Sequence, residues 1–271
     1  MKTVLLGLAV VIAVALLLVL RDVTSRGKRR QKFADQDAAR QQAEDSPVPG
    51  LAGLAATQNW QGPLGDPGFP SGDTVKCIGN LTIALHGALD PDSWRRTRCR
   101  NLGLSHSNGE PTYCMADRQR LVHCYRGQLG GYSFVVGNAY TTISVVQAAA
   151  YNGPLPAGED LEAAFCVLSL PTQPTWIQLV PAIRGPLSGS RHRSGHPDLD
   201  ARYTLLTPDL HRGARLISDQ LAAFVASRDG WAFTLYQNTL ICVTLAPLGS
   251  GDDARQLTSA TAQAAALLGR G

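Results

Sequence analysis

The sequence predicts an α+β protein: an N-terminal transmembrane helix, a flexible stalk, then one domain with a mainly antiparallel sheet. Three observations predict it. Residues 3–20 contain no charged side chain. Five prolines and six glycines crowd into residues 46–73. Beyond residue 74, short β-branched and aromatic runs alternate with glycine and proline turns, and the last third reads β-α-β-β-α. The expected division is an anchor over 1–20, a basic juxtamembrane segment and stalk over 21–73, and a soluble domain over 74–271.

At about 1.5 Å per residue, a helix over residues 3–20 covers about 27 Å, close to the hydrocarbon thickness of a bilayer. A cleaved signal peptide is the competing reading, because Ala13-Val14-Ala15 has the small-x-small form of a cleavage site. Cleavage there would strand the apolar residues 16–20 at the new terminus. Arg21, Arg26, Lys28, Arg29, Arg30 and Lys32 follow the span, against Asp22 alone, while Lys2 precedes it. The positive-inside rule then predicts a single-pass plasma-membrane protein with its soluble domain in the cytoplasm.

The chain has 25 basic and 21 acidic residues, but eight and five of these fall within residues 1–50, which leaves the rest nearly neutral at 17 against 16. The folded part therefore lacks the basic footprint of a nucleic-acid binder. Arg26, Lys28, Arg29, Arg30 and Lys32 are expected to attract anionic lipid, at about 1 kcal/mol per basic residue. Six cysteines, at 77, 99, 114, 124, 166 and 242, are even in number but form no C-x-x-C pair. In a reducing cytoplasm they are expected to be free thiols, with Cys166 and Cys242 as small buried hydrophobes.

Residues 33–45, polar and without an apolar face, are expected to prolong the anchor helix or form a short solvated one. The stalk follows; within it the patch 51–56 and Trp60 have the composition to pack on the domain or form a short helix. Residues 75–85 read as a strand region interrupted by Gly79-Asn80, 91–104 as helix or loop, and 106–111 as a turn. Strands over 121–125 and 132–137 flank the glycine-rich connection 126–131, and 139–147 continues as a β-branched strand. Residues 165–170 and 176–180 read as a pair of strands around Pro171 and Pro174, and 184–197 as a flexible excursion.

A strand is expected over 201–205. Thr207 then caps a helix that opens on Pro208 and carries Leu210, Ala214, Ile217, Leu221 and Phe224 on one face. Gly213 inside that helix costs about 1 kcal/mol relative to alanine, so packing must hold it. Trp231, Phe233 and Leu235 alternate along a strand, Gln237-Asn238 turns the chain, and 240–245 returns. Asp252 or Asp253 is expected to cap a last helix lined by Leu257, Ala260, Ala264 and Leu267 or Leu268.

The strand 165–170 with Pro171, the strand 176–181, the stretch Ala201-Arg202-Tyr203-Thr204-Leu205-Leu206-Thr207-Pro208 and the hairpin 231–245, in that order, resemble an uncharacterised family of bacterial, particularly actinobacterial, membrane-anchored proteins. The resemblance covers residues 115–268 and implies a hydrophobic segment ahead of a soluble domain. It implies no catalytic residue.

No motif specifies a reaction, a cofactor or a metal. His192 and His196 stand four apart, a metal-sharing distance on a helix, but Gly195 and Pro197 oppose a helix there and favour a solvated loop. His123 and Cys124 are neighbours in an expected strand and so point to opposite faces. A Cys/His site would have to join Cys99 or Cys114 to His106 or His86 across the chain. Ser105 and Ser133 lack a nucleophile-elbow context, and the glycines of 127–137 lack the spacing of a phosphate loop. Arg95, Arg96, Arg98 and Arg100 are candidate contacts for lipid head groups or an acidic partner, with Asp90 and Asp92 close enough to make them an ordinary solvated face. The favoured reading is a non-catalytic membrane-tethered interaction or scaffold module, contacting the bilayer and a membrane or cytoplasmic protein; the alternative is an enzyme with a Cys/His site.

Overall fold

The computed structural model describes residues 34–35, 38, 41–42, 45–69, 72–89, 106–107, 110–111, 116–143, 160–171, 176–181, 192–236 and 238–268. The chain divides into two compact units, Met1–Ser46 and Pro47–Gly271. The expected anchor over 3–20 and the basic residues Arg26, Lys28, Arg29, Arg30 and Lys32 lie outside the described residues, as do Arg95, Arg96, Arg98 and Arg100. Among the described residues no helix is long and apolar enough to cross a membrane. In the first unit the described residues 34–45 are helical and exposed, and the Ser46 hydroxyl donates to the Gln42 carbonyl at 2.8 Å.

The second unit is built on one eight-stranded sheet in which every pairing is antiparallel. In chain order its elements are α1 (Leu51–Thr57), β1 (Gln61–Leu64), α2 (Gly72–Leu89), β2 (His106–Ser107), β3 (Glu110–Pro111), β4 (Ala116–Leu129), β5 (Tyr132–Ile143), β6 (Asp160–Ser169), β7 (Ile177–Pro181), α3 (Pro197–Arg202), β8 (Tyr203–Leu206), α4 (Leu210–Arg215), α5 (Asp219–Ala226), β9 (Trp231–Tyr236), β10 (Thr239–Thr244) and α6 (Gly251–Leu267). Sheet order is β1-β4-β5-β6-β10-β9-β7-β8, and β2 and β3 pair separately. Gly130 and Gly131, at φ 59° and 86°, make the two-residue turn of the β4–β5 hairpin, a backbone that favours glycine at both positions.

Strand alternation gives the sheet two apolar faces. One carries Phe134, Val136, Ala164, Cys166, Leu168, Leu179, Leu205, Phe233, Leu235 and Cys242, covered by α1, α3, α5 and α6. The other carries Cys124, Val135, Phe165, Val167, Val180, Ile241 and Val243, against Cys77, Ile78, Leu81 and Leu85 of α2. Burying a Leu, Phe or Val side chain contributes about 1.5–3 kcal/mol, so this double-faced burial is what makes the unit cohere.

Several sequence expectations are corrected. Residues 75–85 belong to a helix, not a strand: α2 packs on the sheet with every residue from Cys77 to Ile83, and Leu85, buried, and the β-branched composition misleads. The patch 51–56, by contrast, takes the short helix that its composition allows, α1, with Leu51, Leu54 and Ala55 buried in the unit that begins at Pro47. Trp60 packs edge-on against Phe134 at 4.9 Å, and Gln61 of β1 pairs with Arg126. The strands around Pro171 and Pro174 do not pair with each other. The β9–β10 hairpin lies between them, with β10 on β6 and β9 on β7.

The single helix expected after Thr207 is two. Asp209 caps α4 by accepting from the Arg212 amide, and Ser218 starts α5 by accepting from the Leu221 amide. The Thr207 hydroxyl instead donates to the Trp176 carbonyl at 3.0 Å, and Leu210 is 41% exposed. Residues 201–202 end α3, so the strand begins at Tyr203. At α6 the cap is Ser250, accepting from the Asp253 amide. The order β-α-β-β-α therefore survives with its first helix broken at a corner.

Candidate functional site

The histidines that sequence singled out serve the fold where they are described. His196 precedes α3, its Nε2 2.9 Å from the Ile217 carbonyl and its Nδ1 3.2 Å from the Asp219 carboxylate, so it ties α3 to the corner before α5. His192 bridges to Leu205 of the edge strand β8 through the backbone, its amide donating to the Leu205 carbonyl at 3.1 Å. The His86 Nε2 lies 2.8 Å from the Glu162 carbonyl and joins α2 to β6. His123 occupies an irregularity of β4 between Val122 and Tyr125 with φ 51°. Cys99, Cys114 and Ser105 lie outside the described residues, while Ser133 accepts from the Gln128 amide across the β4–β5 turn. Among the described residues no group of three or more His, Cys, Asp or Glu is placed to hold a metal ion.

Cys77, Cys124, Cys166 and Cys242 are buried. Burial pushes the Cys124 thiol up to about 12, with the Asp66 charge adding to it, and pushes Cys166 to about 12 as well. Cys242 is raised by the same desolvation, and the Thr261 hydroxyl beside both Cys166 and Cys242 partly opposes the effect. A thiol in this state is neither ionised nor reachable at neutral pH, which removes it as a nucleophile. The cleft between α5, α6 and the sheet, lined by residues such as Leu221, Phe233, Leu240 and Leu268, measures about 10 Å³, room for one water at most.

A polar cluster that sequence reasoning missed lies where α5 turns into β9. The Cζ of Arg228 sits 4.9 Å from the Phe224 ring centroid and 5.4 Å from that of Trp231. Trp231 in turn stacks on Phe233 at 6.0 Å, with the rings 25° apart. The Tyr203 hydroxyl donates to the Arg228 carbonyl, and the Arg228 amide donates to the Val225 carbonyl at 3.0 Å, so the backbone is fixed from both sides. Asp229, the adjacent acid, is engaged by Arg202 at 2.9 Å. The Nε of Arg228 is buried without an acceptor among the described residues. Arg228 and Asp229 are neighbours in the chain, yet the fold pairs the acid with Arg202.

No family model matches the chain, and no curated protein matches it. Among solved structures, the crystal structure of the mycobacterial trehalose monomycolate transport factor A is similar at a TM-score of 0.36 and 12% identity, over 55% of this chain and 72% of that one. A likeness of that size carries no argument about what this chain does.

Proposed function

We propose that the protein is a non-catalytic interaction or scaffold module, tethered to the membrane by residues 3–20 with its α+β domain on the cytoplasmic side. The observation that supports it is the state of the described thiols: Cys124, Cys166 and Cys242 lie inside the core with their ionisation suppressed, which takes these three out of any Cys/His site, while Cys99 and Cys114 lie outside the described residues. They fill space as small hydrophobes. Arg26, Lys28, Arg29, Arg30 and Lys32 would hold the juxtamembrane segment on anionic head groups, and Arg95, Arg96, Arg98 and Arg100 are further candidates for lipid or an acidic partner.

Placement is tested in intact cells with an impermeant maleimide. Cys77 is only 1% exposed and makes a poor reporter, so an exposed position such as Ala52→Cys is needed. Labelling only after permeabilisation is the expected result; labelling of intact cells reverses the topology. For the module itself, the full chain is cross-linked in native membranes. A heterologous adduct of fixed stoichiometry is expected, and a chain that stays free of any adduct contradicts the proposal.

A further inference from the structure

We propose that Arg228 is an oxyanion-binding residue, its guanidinium held between Phe224 and Trp231 to receive the carboxylate or phosphate group of a small ligand. This goes beyond the tether-and-module reading and does not depend on it.

The argument starts from charge. A guanidinium stays ionised at any physiological pH and carries five N–H donors in a planar fork. Among the described residues Arg228 has neither a carboxylate partner nor a hydrogen-bond acceptor for that fork, and the acid beside it in the chain is committed to Arg202. Arg202 also donates to the Ala226 carbonyl at 3.0 Å, and the exposed Asp229 carboxylate pairs with it rather than with Arg228.

The two rings stabilise the charge through their π faces, which leaves the in-plane N–H edge unmet. Arg228 is half-buried, so water only partly replaces the missing acceptors, and the Nε is cut off from it. Preorganisation completes the case. Tyr203 and Val225 fix the backbone of Arg228, and the Phe233 stack fixes Trp231, so little side-chain freedom remains to be lost on binding. With Nε buried, the terminal Nη1–Nη2 edge is the one a ligand can reach, and it matches the bidentate geometry of a carboxylate or phosphate.

Trp231 provides the readout. The full chain in detergent is titrated with sodium acetate in one arm and inorganic phosphate in the other, each against chloride at matched ionic strength and pH, while tryptophan fluorescence is followed. A saturable change in at least one arm is expected, and the arm that responds identifies the oxyanion. Trp231→Phe should abolish the signal. Arg228→Gln should weaken binding about tenfold or more, the loss of a charge-assisted hydrogen bond. Arg228→Lys keeps the charge but not the fork and should weaken it too; it decides the matter if circular dichroism shows Arg228→Gln to be unfolded. No saturable change in either arm, an identical response to chloride, or wild-type curves in both Arg228 variants would overturn the proposal.

Discussion

Replacing Gly213 with alanine sets two rules against each other. Helix propensity says that Gly213→Ala in α4 should stabilise the protein by about 1 kcal/mol. The structure opposes that sign. A Cβ on Gly213 would lie 2.6 Å from the Thr207 Oγ1, 2.8 Å from its Cγ2 and 2.9 Å from its Cβ, all inside contact distance. Thr207 is 1% exposed, β-branched, and tied by its hydroxyl to the Trp176 carbonyl at 3.0 Å, so it cannot swing away without losing a buried hydrogen bond. Overpacking of this kind costs about 1–3 kcal/mol, and three close contacts on a stiff side chain put it in the upper half of that range. After the propensity gain is subtracted, the net loss is about 1–2 kcal/mol. In a domain of this size that lowers Tm by about 2–8 °C, readable by thermal or urea denaturation. In the Thr207→Ala background the nearest two contacts vanish, so the same substitution should cost measurably less. A rise in Tm for Gly213→Ala alone refutes the steric argument.

Three other outcomes follow from the same structure. Asp209→Ala, Ser218→Ala and Ser250→Ala each remove a helix cap and should cost about 1 kcal/mol in urea unfolding, whereas capping by Thr207 would leave Asp209→Ala nearly silent. Leu54→Ala, which empties a buried position of α1, should cost about 2–5 kcal/mol; a neutral result would return this segment to the status of a stalk. The thiols give a pH dependence. Cys166 is held neutral up to about 12 in the fold against 9.0 unfolded, so its stabilising contribution is full below pH 9 and is lost as pH rises toward 12. Between pH 8 and 10 the wild type should lose about 1 kcal/mol more than Cys166→Ala, and parallel stability curves would contradict that.

The last third of the chain was legible because its signals are local. Alternation at Trp231, Phe233 and Leu235 picks out one face of β9, a strand buried on both, and the four-and-three spacing of the last helix picks out its inner side. The errors fall where a local signal had two readings or none. Leu210, Ala214, Ile217, Leu221 and Phe224 keep a helical period across the corner at Leu216 and Ile217, so periodicity hid the break that Ser218 marks. Val75, Ile78, Thr82 and Ile83 favour a strand by composition, and because Cys77 to Ile83 are all buried in the helix, no amphipathic period stands against that reading. That β6 and β7 should be parted by a hairpin from residues 231–244 is a matter of non-local pairing, which no window of sequence contains. The Arg228 cluster was invisible for the same reason, since it is assembled from α3, β8, α5 and β9.

The cysteines show how far the structure separates two questions that the sequence joined. Free thiols in a reducing compartment and disulfides outside it made cysteine pairing look like a test of topology. Cys166 and Cys242 are directly opposed on β6 and β10 and look like the natural pair. Yet the Leu170 amide donates to the Asn238 carbonyl at 2.6 Å, which makes 170 and 238 a hydrogen-bonded pair, and steps of two along both strands put 166 and 242 in the same class. Opposed residues of that class stand about 5.5 Å apart at Cα, with Cβ atoms at the wide end of about 4.5–5.5 Å. A disulfide spans Cβ atoms about 3.5–4.5 Å apart and Cα atoms about 4.4–6.8 Å apart, so such a pair stands at the wide edge of what can be bridged. Both thiols are free and fully buried in the fold, so burial, and not the redox poise around the protein, governs access to them. Thiol state at these two positions says nothing of compartment, and orientation rests on the six basic residues between 21 and 32.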